Sequence, residues 1–268
     1  DYNGCSISRQ RERYRMKFYS FGKATAPVIM LLPGTCYHWK SNFAKVIPLL
    51  ADTYHVLCVS YDGFDKTEET EFTTMLEETE KIENYIREHF SGHIRAAYGC
   101  SLGGSFVGLL TARKKIHIDY GILGSSDLDQ ASPLAAKLQT GLLLPMIYPV
   151  IRDGKMPFRF LDRRVQNMGD YVSTFMEMFG GARPYITKRS CRNQFYSDLI
   201  TPMPDGIDVK GTEIHIFYAL KMGKKYRDRY KQHFVHPILH EQDLQHEELL
   251  ACYPDKWARL VKSIVGII

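Results

Sequence analysis

The chain has 268 residues, 44% of them hydrophobic and 24% charged, with a formal net charge of +5. One α/β domain of this length can bury a large core, and so small a charge surplus lacks the broad basic face of a nucleic-acid binder. No run approaches the roughly 20 apolar residues of a membrane span. The opening residues, with Arg9, Arg11, Arg13 and Arg15 in polar sequence, lack the apolar stretch of a signal peptide.

Residues 13–19 roughly alternate and predict an early antiparallel strand. Residues 28–32 are continuously apolar and stop at Pro33-Gly34, as a strand buried on both faces does. Ser41 is placed to cap a helix reaching Ala51, and residues 55–60 form the next buried strand. An amphipathic helix follows over residues 73–90, with Leu76, Ile82, Ile86 and Phe90 on its apolar side. Strands at 94–98 and 118–123 flank a helix over 101–113. Strands resume at 213–218 and 235–239, and a helix over 255–264 closes the chain. Strand–helix alternation at this spacing implies a mostly parallel, doubly wound sheet with right-handed crossovers.

The alternation stops between about Gln130 and Lys210, too long for a loop. We expect a helical cap there, so that residues 1–129 and 211–268 form the core and 130–210 an inserted lid. It is rich in flexible apolar residues: Leu142, Met146, Met156, Phe158, Phe160, Met168, Phe175, Met176, Met178 and Phe179. Such a wall adapts to an apolar acyl or aryl group. Arg152, Arg159, Arg163, Arg164 and Tyr171 are expected to be solvated. So is the basic cluster from Lys221 to Lys231, read as a surface helix. Cys5, Cys36, Cys58, Cys100, Cys191 and Cys252 form no C-x-x-C pair. That spacing offers neither a thiolate zinc site nor a disulfide framework and fits free thiols in a reducing cytoplasm.

Gly99-Cys100-Ser101-Leu102-Gly103 reads as a strand, a sharp turn and a helix, with serine at the apex. A serine held there at positive φ stands clear of the sheet edge, and the flanking glycines let strand and helix approach closely. Chemistry in such sheets belongs at the carboxyl ends of the strands. Pro33-Gly34-Thr35, Tyr61-Asp62-Gly63, Ser101 and Ser125-Ser126-Asp127 all fall there. A serine hydroxyl needs a base, and His246 follows the last strand; His240 sits nearer the strand end. An oxyanion needs two backbone N–H groups. Leu102 supplies one at a helix N-terminus, and Thr35 or Cys36 the other. Cys36, His38 and Met146 are the expected pocket wall.

These residues together resemble the α/β-hydrolase superfamily. Leu31 to Thr35 look like its oxyanion loop, Gly99 to Gly103 like its nucleophile elbow and Gln245 to Leu249 like its histidine loop. Pro33 stands where a histidine is usual. The resemblance spans nearly the whole chain and implies Ser101 as nucleophile, His246 as base, and Thr35 with Leu102 as oxyanion donors. The superfamily's acid usually follows the next-to-last strand, but the turn here reads Ala219-Leu220-Lys221-Met222, and methionine cannot orient an imidazole. Asp127, with Asp129 as its near competitor, follows the preceding strand, a position some lipases of the superfamily use. Asp243, Glu241 or Glu247 beside the histidine, or no acid at all, are the alternatives. The expected activity is hydrolysis of a small carboxylic ester through an acyl-enzyme, without metal or organic cofactor, nucleic acid or membrane. Acyl transfer uses the same residues, and Met222 keeps open a ligand-binding protein with attenuated catalysis.

Overall fold

The computed structural model describes residues 16–154 and 183–266. Strands β1 (Lys17–Phe21), β2 (Val28–Leu32), β3 (His55–Ser60), β4 (His93–Gly99), β5 (His117–Leu123), β6 (Glu213–Ala219) and β7 (Ile238–Gln242) form one sheet in the order β1-β3-β2-β4-β5-β6-β7. β1 runs antiparallel to β3; the other pairs are parallel.

The continuous apolar runs have a simple cause. Side chains alternate along a strand, so Met30, Leu32, Leu57 and Val59 enter one core while Ile29, Leu31, Val56 and Cys58 enter another. Helices α3 (Met75–Phe90) and α4 (Leu102–Arg113) cover the first core through Ile82, Ile86, Phe106 and Leu110. Helices α1 (Trp39–Phe43), α2 (Ile47–Ala51) and α9 (Pro254–Val265) cover the second through Phe43, Leu50, Trp257 and Val261. The fold is therefore α/β, with a mostly parallel sheet wound on both sides.

Four expectations need correction. Ser41 lies inside α1, which His38 caps by accepting from Lys40 N–H at 3.3 Å; a break before Pro48 separates α1 from α2. Thr74 caps α3, and Leu76 is 41% exposed because it falls off the face carrying Met75, Ile82 and Ile86. The last strand begins at Ile238, not at Val235, which is exposed ahead of it. Finally, α5 (Pro133–Asp153) is long and apolar enough to cross a membrane by length and composition. Lys137, Gln139 and Thr140 hide this in a run-based reading.

Helices α5 and α6 (Lys188–Ile200) lie between β5 and β6 in the chain and pack against each other. Polar contacts tie α6 to the core. Ser197 Oγ accepts from Met75 N–H at 2.6 Å, and Asn193 Nδ2 donates to the Phe72 carbonyl at 2.9 Å. The remaining lid residues named above, from Met156 to Phe179, lie outside the described residues. The basic cluster forms α7 (Lys224–His233), as a surface helix should, but its Arg229 and Tyr230 turn inward to the loop after β5.

Candidate active site

Ser101 sits between β4 and α4 at φ 49°, ψ −113°. The glycines around it are steric necessities. A Cβ on Gly99 would meet the Gly103 carbonyl carbon at 2.0 Å, and one on Gly103 would meet the Leu32 carbonyl oxygen at 2.2 Å. The hydroxyl so presented lies 3.2 Å from His246 Nε2, within hydrogen-bond reach. His246 arrives on the turn between β7 and α8 (Glu248–Cys252).

The non-glycine residues at positive φ cluster here. Ser91 and Lys114 merely end helices, whereas Cys36, Ser101, Leu128 and Glu247 lie on four loops at the carboxyl edge of the sheet. Backbone in that region costs of order 1–3 kcal/mol per residue and persists where surrounding contacts over-determine it.

Glu247, one of the alternatives for the acid, makes contacts that the sequence did not announce. Its buried carboxylate accepts from Ser101 N–H and Ser125 N–H through Oε1, each at 2.8 Å, and from the Tyr98 hydroxyl through Oε2 at 3.0 Å. It braces the elbow and the loop after β5 from below. Burial first, and then the Glu247 charge, push the Tyr98 phenol and the Cys100 thiol well above their ordinary values. The nucleophile's own N–H is thus spent on the brace.

The loop after β2 is also tied down. Gly34 N–H donates to Asn42 Oδ1 at 2.9 Å, Cys36 N–H to Gln194 Oε1 at 2.6 Å and Tyr37 N–H to the Gly34 carbonyl at 3.2 Å. Cys36 is therefore not free to be the second oxyanion donor, and partly exposed Thr35 lies between these anchored neighbours. Leu102 opens α4, so its N–H has no carbonyl one turn back within the helix. Gln194 carried no signal in the sequence, since it reaches this loop from α6.

The candidate acids separate by surroundings. Burial, then the Asp129 charge, hold the Asp127 carboxyl above its usual range, while His246 and Arg229 pull it down. Asp127 is thus within electrostatic reach of the imidazole. Its loop is held by Arg229 donating to the Asp127 carbonyl, Tyr230 to the Ser126 carbonyl and Ser126 Oγ to the Ser101 carbonyl. Asp129 pairs instead with Arg229 at 2.6 Å. Glu241 and Asp243 are exposed, and Met222 sits in the 3-10 turn after β6.

The expected pocket residues do not converge. Cys36 is fully buried against Cys191, His38 caps α1 and stands 3.8 Å from Asp65, and Met146 is exposed on α5. A cavity of ≈ 530 Å³ lies between α5 and α6, walled by Lys137, Thr140, Leu144, Arg192 and Tyr196.

A family model described as the alpha/beta hydrolase fold matches residues 27–155. No curated protein matches the chain in sequence. Among solved structures, an α/β-hydrolase family protein from Desulfitobacterium hafniense aligns with TM-score 0.78 at 17% identity, over 93% of this chain and 100% of that one. An enol-lactonase from Burkholderia xenovorans LB400 aligns with TM-score 0.67 at 15% identity, over 93% and 96%. An esterase from a marine microorganism aligns with TM-score 0.69 at 13% identity, over 93% and 99%. With its sheet order and its elbow, the chain has the α/β-hydrolase fold.

Proposed function

We propose that this protein is a serine hydrolase acting on a small carboxylic ester or related acyl compound. The observation that carries the reading is the strained Ser101 with its Oγ 3.2 Å from His246 Nε2. His246 takes the hydroxyl proton as Oγ attacks the carbonyl, and the negative charge forms at the substrate oxygen. Leu102 N–H and Thr35 N–H receive that oxyanion, the former at the positive end of α4. Collapse expels the alcohol, protonated by His246, and leaves an acyl-enzyme. Water, deprotonated by the same imidazole, then releases the acid. Asp127 holds the imidazolium charge. Esterase and enol-lactonase neighbours of the same fold support ester chemistry.

The reading includes residues 130–210 as a lid over the core, with the cavity between α5 and α6 as room for an apolar group. It also includes a reducing, cytoplasmic setting, supported by the free thiols of Cys36, Cys58, Cys100 and Cys191. Met222 in the usual acid slot supports a second reading, a ligand-binding protein with attenuated catalysis. Turnover of a panel of p-nitrophenyl esters separates the two. The hydrolase shows a burst of p-nitrophenol when deacylation is slow, and Ser101→Ala lowers kcat by about 10⁶. Tight binding without turnover on any ester contradicts it.

A further inference from the structure

Metal-ligating side chains gather at the opposite edge of the sheet. His93 and His117 open β4 and β5 and are register partners across that parallel pair. Asp119, two residues along β5, points Oδ1 at both rings, 2.8 Å from His93 Nε2 and 3.3 Å from His117 Nε2. The three ligand atoms lie within 4.8 Å of one another. Arg95 Nη1 holds the other carboxylate oxygen at 3.2 Å; its Nη2 donates to the Val265 carbonyl at 2.9 Å, and its guanidinium lies over the Tyr120 ring. The carboxylate is thus anchored from behind by an outer partner of the kind that fixes ligand geometry. Both imidazoles are open to solvent.

We propose that His93 Nε2, His117 Nε2 and Asp119 Oδ1 bind a divalent first-row transition-metal ion such as zinc, with water completing a tetrahedron. Bonds of about 2.0 Å in a tetrahedron set ligand atoms roughly 3.3 Å apart, close to the two distances from Asp119 Oδ1, and the two imidazole nitrogens lie within 4.8 Å of each other. Two imidazoles with one carboxylate suit zinc, whereas calcium and magnesium seek all-oxygen sets. Each ring gives its Nε2 lone pair to the ion and keeps its proton on Nδ1, so the ion replaces the Nε2–Asp119 hydrogen bonds. Cysteine spacing bears only on thiolate sites and is silent here. The Arg95 charge opposes the ion, so affinity below that of a thiolate site is expected. Ser101 follows the far end of β4, roughly 25 Å away at the rise of a strand. The ion therefore staples the starts of two central strands and has no part in Ser101 chemistry.

Equilibrium dialysis of the full chain against zinc should give one ion per chain. The His93→Gln/His117→Gln double variant should lose it, and Asp119→Asn should bind about tenfold or more weakly. His240→Gln, at the other imidazole pair of the sheet, should bind as the wild type does. Saturating zinc should raise the wild-type Tm by several degrees, leave that of the double variant unmoved and leave ester turnover unchanged. A wild type that binds no zinc, or a double variant that binds it equally, overturns the proposal.

Discussion

Ser101, His246 and Glu247 divide the work of the elbow between them. Ser101 offers its Oγ to His246 while its N–H and that of Ser125 rest on the carboxylate of the next residue, Glu247. Glu247→Ala would leave two amides and a buried phenol without their acceptor, each costing about 1–3 kcal/mol. Urea denaturation should show a loss of at least about 3 kcal/mol, with kcat reduced because the elbow is no longer held. The acid is tested by a pair of variants. Asp127→Asn should cost on the order of 10⁴ in kcat, while Asp243→Asn, exposed in its turn, should leave it unchanged. The places of Ser101 and His246 were legible, because glycines bracket the one and chain order puts the other after the last strand. The Glu247 brace was not: it joins residues 146 positions apart through a backbone conformation that non-glycine residues rarely adopt.

Elements with one strong local cause were readable in advance. β2 is a continuous apolar run, β3 carries one from Val56 to Val59, and α3 has a capping threonine and a helical apolar face. Boundaries set by tertiary contact were not. His38 outcompetes Ser41 as the α1 cap, and β7 starts where it pairs with β6 from His215 onward. The tie from α6 to the loop after β2 is likewise invisible in sequence. Gln194→Ala frees the Cys36 N–H and, on the proposed mechanism, should lower kcat more than it raises KM, since it loosens the loop assigned to the oxyanion. On α3, burial first and then the Asp62 charge push Glu78 up to about 7, against the pull of Lys81. A folded value above the unfolded one gives stability that is complete below about pH 4.5 and lost as pH rises through 7. Thermal melts should show the wild type losing on the order of 1 kcal/mol between pH 5.5 and 8, and Glu78→Gln losing less.

The whole molecule is a sheet with two cores, a strained carboxyl edge that carries Ser101 and His246, and an opposite edge bearing imidazoles. Its pH limits are set on both sides. Glu68, also pushed up to about 7 by burial and then by the Asp62 charge, adds to the loss on the alkaline side. Asp65 acts in the other direction. Burial raises its carboxyl, but the nearby His38 imidazole and hydrogen bonds from Thr67 and Tyr19 outweigh burial and hold it far below the carboxylate range. Its contribution is present above about pH 4 and lost as pH falls further. The architecture was legible because α/β alternation leaves few topologies. The paths of the loops at the carboxyl edge were not, because long-range hydrogen bonds fix them.

The central claim is that Ser101 is the activated nucleophile. Treating the folded chain with a fluorophosphonate and mapping the adduct by mass spectrometry tests it most directly. One phosphonyl group on Ser101, absent from Ser101→Ala and strongly slowed in His246→Ala, is the predicted result. Labelling at another residue, or none on a chain whose fold is intact, contradicts it.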